Sequence, residues 1–261
     1  MLTDTNEGEL LELLDKRIDL LGVLLDGPRD KRALVDELPS SRSTVDRGVR
    51  ELEVHGLVTF TGEGYALTTV GELATSEFRQ TERYLQNLVR LRPFLDWTDL
   101  TEFDLPVETL SDAELVVSDP NYPAMPSSKH VDHLAQTSTF AGLLPSLGRH
   151  AADSTAERIQ EGSLSCDVVL SRGAAEIFRS KPGFRQWAET ALPSDDVEVQ
   201  VFDDDLPYFL GIYDDVVHIG AEDDNGMRRA LVETDDATVR DWAENTFRAY
   251  KDSAAPFTLR Q

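Results

Sequence analysis

The chain has 261 residues, 40% of them hydrophobic, which is enough to bury the cores of two domains. It carries 49 acidic against 25 basic residues, a net charge of −24, and one cysteine, Cys166. These figures exclude an intrachain disulfide framework, and no apolar run reaches the roughly 18–20 residues of a membrane-spanning helix. Disorder is excluded too, because apolar periodicity continues almost to the end. Only five basic residues are lysines, leaving twenty arginines. Acid excess with arginine favoured over lysine looks like a protein of a salt-in halophilic archaeon, whose charged surface stays soluble where salt screens repulsion. The opening Met1–Glu7 lacks the basic start and apolar stretch of a signal peptide, so a cytoplasmic protein is expected.

In chain order, Glu7–Leu25 reads as an amphipathic helix with Leu10, Leu14, Ile18, Leu21 and Leu25 inward, ended by Gly27-Pro28. A short helix, Asp30–Leu38, is broken by Pro39-Ser40-Ser41, and a second follows over Arg42–His55. On that second helix Val45, Val49 and Leu52 recur at i, i+4 and i+7, which buries one stripe. The opposite face carries Ser43, Arg47 and Arg50, with Arg42 in the first turn. Val58/Phe60 and Tyr65/Leu67 alternate on either side of the turn Gly62-Glu63-Gly64, the pattern of a wing. A short helix, apolar inside and arginine-bearing outside, beside a two-stranded wing suits the DNA major groove. Arginine's planar fork can hold guanine or a phosphate at two points. The expected DNA contacts are Arg42, Ser43, Thr44, Asp46, Arg47 and Arg50 on the helix, and Thr61 and Gly62 on the wing.

The charge distribution agrees. Residues 1–92 hold 17 acidic and 12 basic side chains, a net of −5, whereas residues 93–261 hold 32 and 13, a net of −19. Within Arg29–Phe60 the count is six against six, so the segment expected to face phosphates is the least acidic part of the molecule.

Gly71–Asp96 is the next long helical pattern, with Leu73 opening it, Tyr84, Leu88, Leu91 and Leu95 following, and Leu85 and Val89 broadening the stripe. A long apolar helix after a wing is a dimerisation element or a brace for the next domain. From Asp112 strands alternate with helices. Glu114–Ser118, Asp167–Ser171 and Val197–Phe202 are strand candidates, and Leu210–Ile219 and Arg229–Glu233 hold two or three more. Helices are expected around Lys129–Ala141, Ser146–Glu161, Ala174–Ala191 and Ala237–Lys251, the last offering Trp242, Phe247 and Tyr250 to a core. Asp203-Asp204-Asp205 falls on a loop between strands. The expected fold is α+β or α/β: a winged helix-turn-helix over residues 1–70, a helical linker over 71–111, and a mixed α/β sensory domain over 112–261.

Several stretches together resemble archaeal winged-helix regulators whose effector half is of the FilR1 middle-domain type (DUF1724). They are Asp119-Pro120-Asn121-Tyr122-Pro123, the segment Cys166–Phe178 (CDVVLSRGAAEIF), Asp204–Asp236, and Trp242–Tyr250 (WAENTFRAY). The likeness runs from about Asn6 to Ala255, and its motifs are diffuse rather than catalytic. It implies a transcriptional regulator with an N-terminal DNA reader and a C-terminal sensor.

Enzyme signatures are absent: there is no GxGxxG, Walker loop, GxSxG or HExxH. A phospholipase D-type site would need His-x-Lys, and Lys129-His130 followed by Val131-Asp132-His133 does not supply it. His130 and His133 share a helix face at i, i+3 and could ligate a metal with Asp132 or His150, but such pairs are usually structural, so neither metal nor cofactor is expected. Cys166 reads as a buried small hydrophobe, with no resolving cysteine for a redox sensor. A sensory pocket is expected beyond the carboxyl ends of the strands, from Asp119, Tyr122, Ser171, Arg172, Asp205 and Tyr208, and Arg172 would favour a small polar or anionic effector. The resulting expectation is a homodimeric regulator of promoter DNA. The alternative is a protein–protein adaptor that uses its winged helix without sequence-specific DNA binding.

Overall fold

The computed structural model describes residues 6–99 and 103–259. Residues 1–5, which enter the signal-peptide reading, and residues 100–102 of the expected linker lie outside the described residues. The chain forms two compact units, Met1–Gln86 and Asn87–Gln261.

The first unit opens with α1 (Glu7–Leu25), whose free N–H groups are capped by the Asn6 side chain accepting from Glu9 N–H at 2.9 Å. Asp30 caps α2 (Lys31–Glu37) and Ser41 caps α3 (Arg42–Val54) in the same way. Each cap is a short polar side chain directly before an apolar-periodic run, which is why the sequence marks these starts sharply. Val45, Val49 and Leu52 of α3 are buried against Leu13, Leu14, Leu20, Leu21 and Leu24 of α1 and Leu34 of α2. The buried row of α1 sits one residue earlier than its leucine spacing suggests. Leu14 and Leu21 are buried as expected, but Leu10, Ile18 and Leu25 are only half-buried, while Leu13, Arg17, Leu20 and Leu24 are buried.

Arg17 explains that rotation. Its guanidinium, 8% exposed, donates to Glu51 of α3 at 2.6 and 2.9 Å, and Gly48 lets α3 approach Arg17 and Leu20 closely. Glu51→Ala would leave this buried cation unpaired and is expected to cost about 1–3 kcal/mol. Lys16→Ala, which removes the 57%-exposed second partner of Glu51, is expected to cost less than about 0.5 kcal/mol. Denaturant midpoints of the two variants check the contrast.

The wing pairs β1 (Val58–Phe60) antiparallel to β2 (Tyr65–Leu67), with Val58 opposite Leu67 and Phe60 opposite Tyr65. Arg29 adds a bridge to Tyr65 from the other side, at 2.9 and 2.8 Å. Gly62 turns the hairpin at φ +89°, a conformation that favours glycine. The long helix α4 (Thr69–Leu95) then begins, and the division between the two units falls inside it. Leu91 and Phe94 of α4 are buried, but Leu73, Leu85 and Val89, placed on its apolar stripe by spacing alone, are 62%, 54% and 75% exposed. No helix among the described residues is long and apolar enough to cross a membrane.

Among the described residues, the second unit is built on an eight-stranded mixed sheet. In chain order its strands are β3 (Glu114–Val117), β4 (Thr139–Leu144), β5 (Ser165–Leu170), β6 (Val197–Val201), β7 (Phe209–Ile212), β8 (Val217–Glu222), β9 (Arg228–Thr234) and β10 (Ala255–Pro256). Their spatial order is β10-β6-β5-β4-β7-β8-β9-β3. β4, β5 and β6 are parallel, and the remaining pairs are antiparallel. Strand alternation splits the core into two faces. Val169, Leu210, Ala230 and Val232 join one cluster with Val239, Ala243 and Phe247 of α9 (Ala237–Asp252). Val168, Leu170, Phe209 and Leu231 join the other with α5 (Met125–Leu134), α6 (Arg149–Gln160), α7 (Arg172–Ser180) and α8 (Pro182–Ala191).

Two expectations need correction, and one strand had no expectation at all. The helix read over Lys129–Ala141 ends at Leu134, and Thr139–Leu144 is the strand β4, inside the sheet between β5 and β7. Its apolar run is continuous, a pattern shared by buried strands and buried helices. The helix read over Ala174–Ala191 is two, because Lys181 is extended (φ −90°, ψ 124°) before Pro182. β10, a two-residue edge strand, carries no periodic signal at all.

Candidate functional site

Two features of the structure invite function, one in each unit. In the first, α3 turns Arg42, Ser43, Arg47 and Arg50 to solvent while Thr44 and Asp46 are half-buried. Ser41 fixes the start of the helix, its hydroxyl accepting from Thr44 N–H and lying 3.0 Å from the Ser43 hydroxyl. Asp46 is engaged by Lys31 of α2 at 2.8 Å, and that ammonium holds its carboxyl below the usual carboxylate range. Asp46 therefore tethers α2 to α3 and softens the repulsion among the arginines. Among the described residues, Arg42, Arg47 and Arg50 join no ion pair, so their forks are available to a ligand. Ser43, Arg47, Arg50, Val54 and His55 line an open groove along the helix. Thr61 and Gly62 are exposed at the wing tip, where Thr61 N–H donates to Gly64 C=O at 2.9 Å.

The second feature is a cavity of about 880 Å³ between the sheet and α5–α8. Leu134, Phe140, Leu144, Val168, Phe178, Trp187 and Phe209 give it an apolar wall, His130, Thr155, Cys166, Glu222 and Arg228 contribute polar atoms beside them, and Ser146, Arg149, His150 and Asn225 are among the other polar residues that line it. Burial pushes the Cys166 thiol up to about 12, so it stays protonated and acts as an apolar wall atom. His130 is buried and hydrogen-bonds the Tyr213 hydroxyl through Nδ1. Burial lowers the imidazole well below 6.5 and raises the phenol well above 10, so both are neutral.

Arg228 is 7% exposed, lies 3.6 Å from the Phe209 ring centroid, and pairs with Glu222 through Nη2 at 3.1 Å. Its Nε is buried without a partner. The register explains how an arginine reaches this face. Ala221 opposes Ala230, but Glu222 opposes Arg228, so Arg229 is the extra residue of a bulge. That bulge turns Arg228 to the face of Leu231 and Phe209 rather than that of Ala230 and Val232.

Next to the cavity, α5 carries Lys129, His130 and His133 towards β8 and β9. His133 Nδ1, His218 Nε2 and a Glu233 oxygen lie within 4.8 Å of one another, a set of atoms that could hold a metal ion. The pair His130 and His133 does not converge; His133 meets His218 instead. Lys129 Nζ sits 3.1 Å from the other Glu233 oxygen, and His218 Nε2 lies 2.6 Å from the carboxylate. Burial lowers the His218 imidazole, so in the neutral form it donates Nε2–H to Glu233. The cluster is thus already a neutralised hydrogen-bond network. Burial alone would raise Glu233, but His218 and Lys129 override it and bring the carboxyl to about 2.

These groups set an acid profile. His130 and His218 are depressed below 6.5, so the stability they represent is present above that pH and falls away below it. Glu233 adds a second limb: its contribution is complete above about pH 4.5 and lost as pH falls toward 2. Denaturation in molar KCl, which screens the acidic surface, is expected to show a clear loss between pH 7.5 and pH 4 and a further loss from about pH 4.5 toward pH 2. Glu233→Gln is expected to flatten the lower limb, and equal stability of the wild type at pH 7.5 and pH 4 would contradict the assignment.

Of the six residues expected at an effector pocket, Tyr122 lines the cavity, its hydroxyl 2.7 Å from Ser128. The other five do not line it. Asp119 accepts from Asn121 N–H, Ser171 caps α7 and donates to Pro145 C=O, and Arg172 pairs with Asp203. Asp205 is exposed, and Tyr208 is buried against Phe103 and Trp242 on the opposite face. Strand ends gather a pocket in an all-parallel sheet, whereas this cavity lies under the helices that cover one face.

Residues 123–253, half of the chain, match the family described as "Methanogenesis regulatory protein FilR1, middle domain". The chain belongs to the FilR1 middle-domain family. Residues 5–88 match the HVO_A0261 N-terminal domain. No curated protein matches the chain. Among solved structures, TrmBL2, an archaeal chromatin protein, shares 15% identity over 96% of this chain and 100% of its own, with a TM-score of 0.41. NucT from Helicobacter pylori shares 13% identity over 56% of this chain and 98% of its own (TM-score 0.42). Nuc from Salmonella typhimurium, a phospholipase D family member, shares 8% over the same shares of each chain (TM-score 0.43). Likenesses this distant bear on neither the fold nor the function.

Proposed function

We propose that the protein is a sequence-specific DNA-binding transcriptional regulator, a homodimer whose DNA affinity is set by a small molecule in the cavity of its C-terminal unit. The observation that carries this is α3, which buries Val45, Val49 and Leu52 and leaves Arg42, Arg47 and Arg50 exposed beside a two-stranded wing. Membership of a family named for a regulatory protein supports it, as does the absence of enzyme motifs. The contacts are Arg42, Ser43, Thr44, Arg47 and Arg50 in the major groove and Thr61 and Gly62 along the wing, with Asp46 orienting the set. Net charge −24 and the preference for arginine point to the salt-rich cytoplasm of a halophilic archaeon, where phosphate contacts are weakened. Base-edge contacts by Arg47 and Arg50 then carry more of the specificity. Leu85 and Val89, over half exposed on α4, are the apolar side chains a second copy would cover.

The test is selection from a random duplex library by the full chain in molar salt. The expected product is a motif of two half-sites about one helical turn apart. Recovery of no motif would favour an adaptor that uses the winged helix on another protein.

A further inference from the structure

We propose that the cavity binds a small organic acid with an apolar body, its carboxylate held on Arg228. This rests on the sensor role proposed above and names its ligand. The volume, about 880 Å³, is in the range of small-molecule sites. Leu134, Phe140, Val168, Phe178, Trp187 and Phe209 make a continuous apolar part of the wall, which suits a ligand with an apolar body.

Arg228 is the polar anchor. Its charge is permanent, its flat side is fixed on Phe209, and Glu222 occupies only one prong of the fork. The neighbouring Nε–H is buried and unspent, a state with a cost that an acceptor would remove. A carboxylate matches such a planar edge at two points. Two further features look built for this arginine. The bulge at Ala221/Glu222 turns it to the cavity face, and Gly220 leaves it room, since a Cβ there would lie 2.7 Å from Nε. Binding would then draw Arg228 from Glu222 and act on the β8–β9 hairpin, whose Gly226 and Met227 also line the cavity.

The experiment titrates the full chain, followed by calorimetry and by the fluorescence of Trp187 in the wall. The probes are octanoate and 4-phenylbutyrate, their matching alcohols, glucose and inorganic phosphate. Each acid is expected to bind at least tenfold more tightly than its alcohol. In Arg228→Met/Glu222→Gln, which removes both charges together, that preference is expected to vanish. Val168→Phe, which fills the cavity and leaves the ion pair, is expected to weaken both acids at least tenfold. Alcohols binding as tightly as acids, an acid preference that survives the double variant, binding of glucose or phosphate instead, or no binding at all would each overturn the proposal. Acid binding without DNA selection would remove the regulator and leave the acid site, whereas DNA selection without acid binding would do the reverse.

Discussion

Replacing Arg47 and Arg50 together by glutamate is expected to abolish sequence-specific DNA binding while leaving the fold unchanged. Both side chains are exposed on α3 and, among the described residues, join no ion pair. Glutamate and arginine have similar helix propensities, and the buried row Val45, Val49 and Leu52 is untouched. Stability should therefore change by less than about 0.5 kcal/mol. At the DNA, each lost bidentate base contact costs about 1–3 kcal/mol, and reversing two charges beside phosphates adds repulsion. The combined loss is on the order of a hundredfold or more in affinity for the selected motif. Arg50→Ala alone is expected to lose about 1–3 kcal/mol and to relax preference at one base position. Fluorescence anisotropy on the selected duplex and on single-base variants of it reads both effects. Undiminished binding by the double variant would remove α3 from the interface.

Gly71→Ala should damage the first unit as severely by a different route. Gly71 stands in the first turn of α4, where an added Cβ would meet Leu57 C=O at 1.9 Å. The approach is fixed by a small network. Thr68 N–H donates to Leu57 C=O at 2.9 Å, the Thr68 hydroxyl donates to Gly56 C=O at 2.7 Å, and Gly71 N–H returns to that hydroxyl at 3.0 Å. These contacts clamp the start of α4 onto the junction between α3 and β1, where Leu57 is fully buried. A methyl group cannot enter without pushing backbone from backbone, at a cost of about 3 kcal/mol or more. The gain in helix propensity returns only about 1 kcal/mol. The displaced junction also carries the wing, so operator affinity should fall together with the denaturant midpoint. Gly173→Ala is the matched control: Gly173 is exposed in the first turn of α7, and its Cβ would meet only the Ser171 hydroxyl, at 3.9 Å. That variant is expected to be neutral or slightly stabilising.

The winged unit was legible because its signals are local. Asn6, Asp30 and Ser41 cap helices whose apolar residues recur with a clean helical period, and Gly62 marks the hairpin turn. The exposed face of α3 follows from the same periodicity. Where a tertiary partner decides, the pattern is silent. Arg17 faces the α1 core because Glu51 waits on α3, and nothing in the spacing of α1 announces that pair. β4 hides in a run of Phe140, Ala141, Gly142, Leu143 and Leu144, with no alternation to separate strand from helix. The break before Pro182 was readable, since proline disfavours a helical residue ahead of it.

The cavity was the least legible feature. Strict alternation along Arg228–Thr234 would put Arg228 on the face of Ala230 and Val232, and only the bulge reverses it. Glu222 and Arg228 become partners through that register, and His218 and Glu233 stand directly opposite each other further along the same two strands. Cross-strand neighbours of this kind are set by register, which a single sequence specifies weakly. The residues chosen from strand ends, Ser171 and Arg172 among them, serve instead to cap α7 and to pair with Asp203.

The most direct measurement is genome-wide chromatin occupancy of the tagged protein, wild type beside Arg47→Glu/Arg50→Glu. Discrete promoter peaks that share the motif selected in vitro and vanish in the double variant are the expected result. Peaks that persist in the double variant, or a wild type without peaks in several growth conditions, would contradict a DNA-reading role for α3.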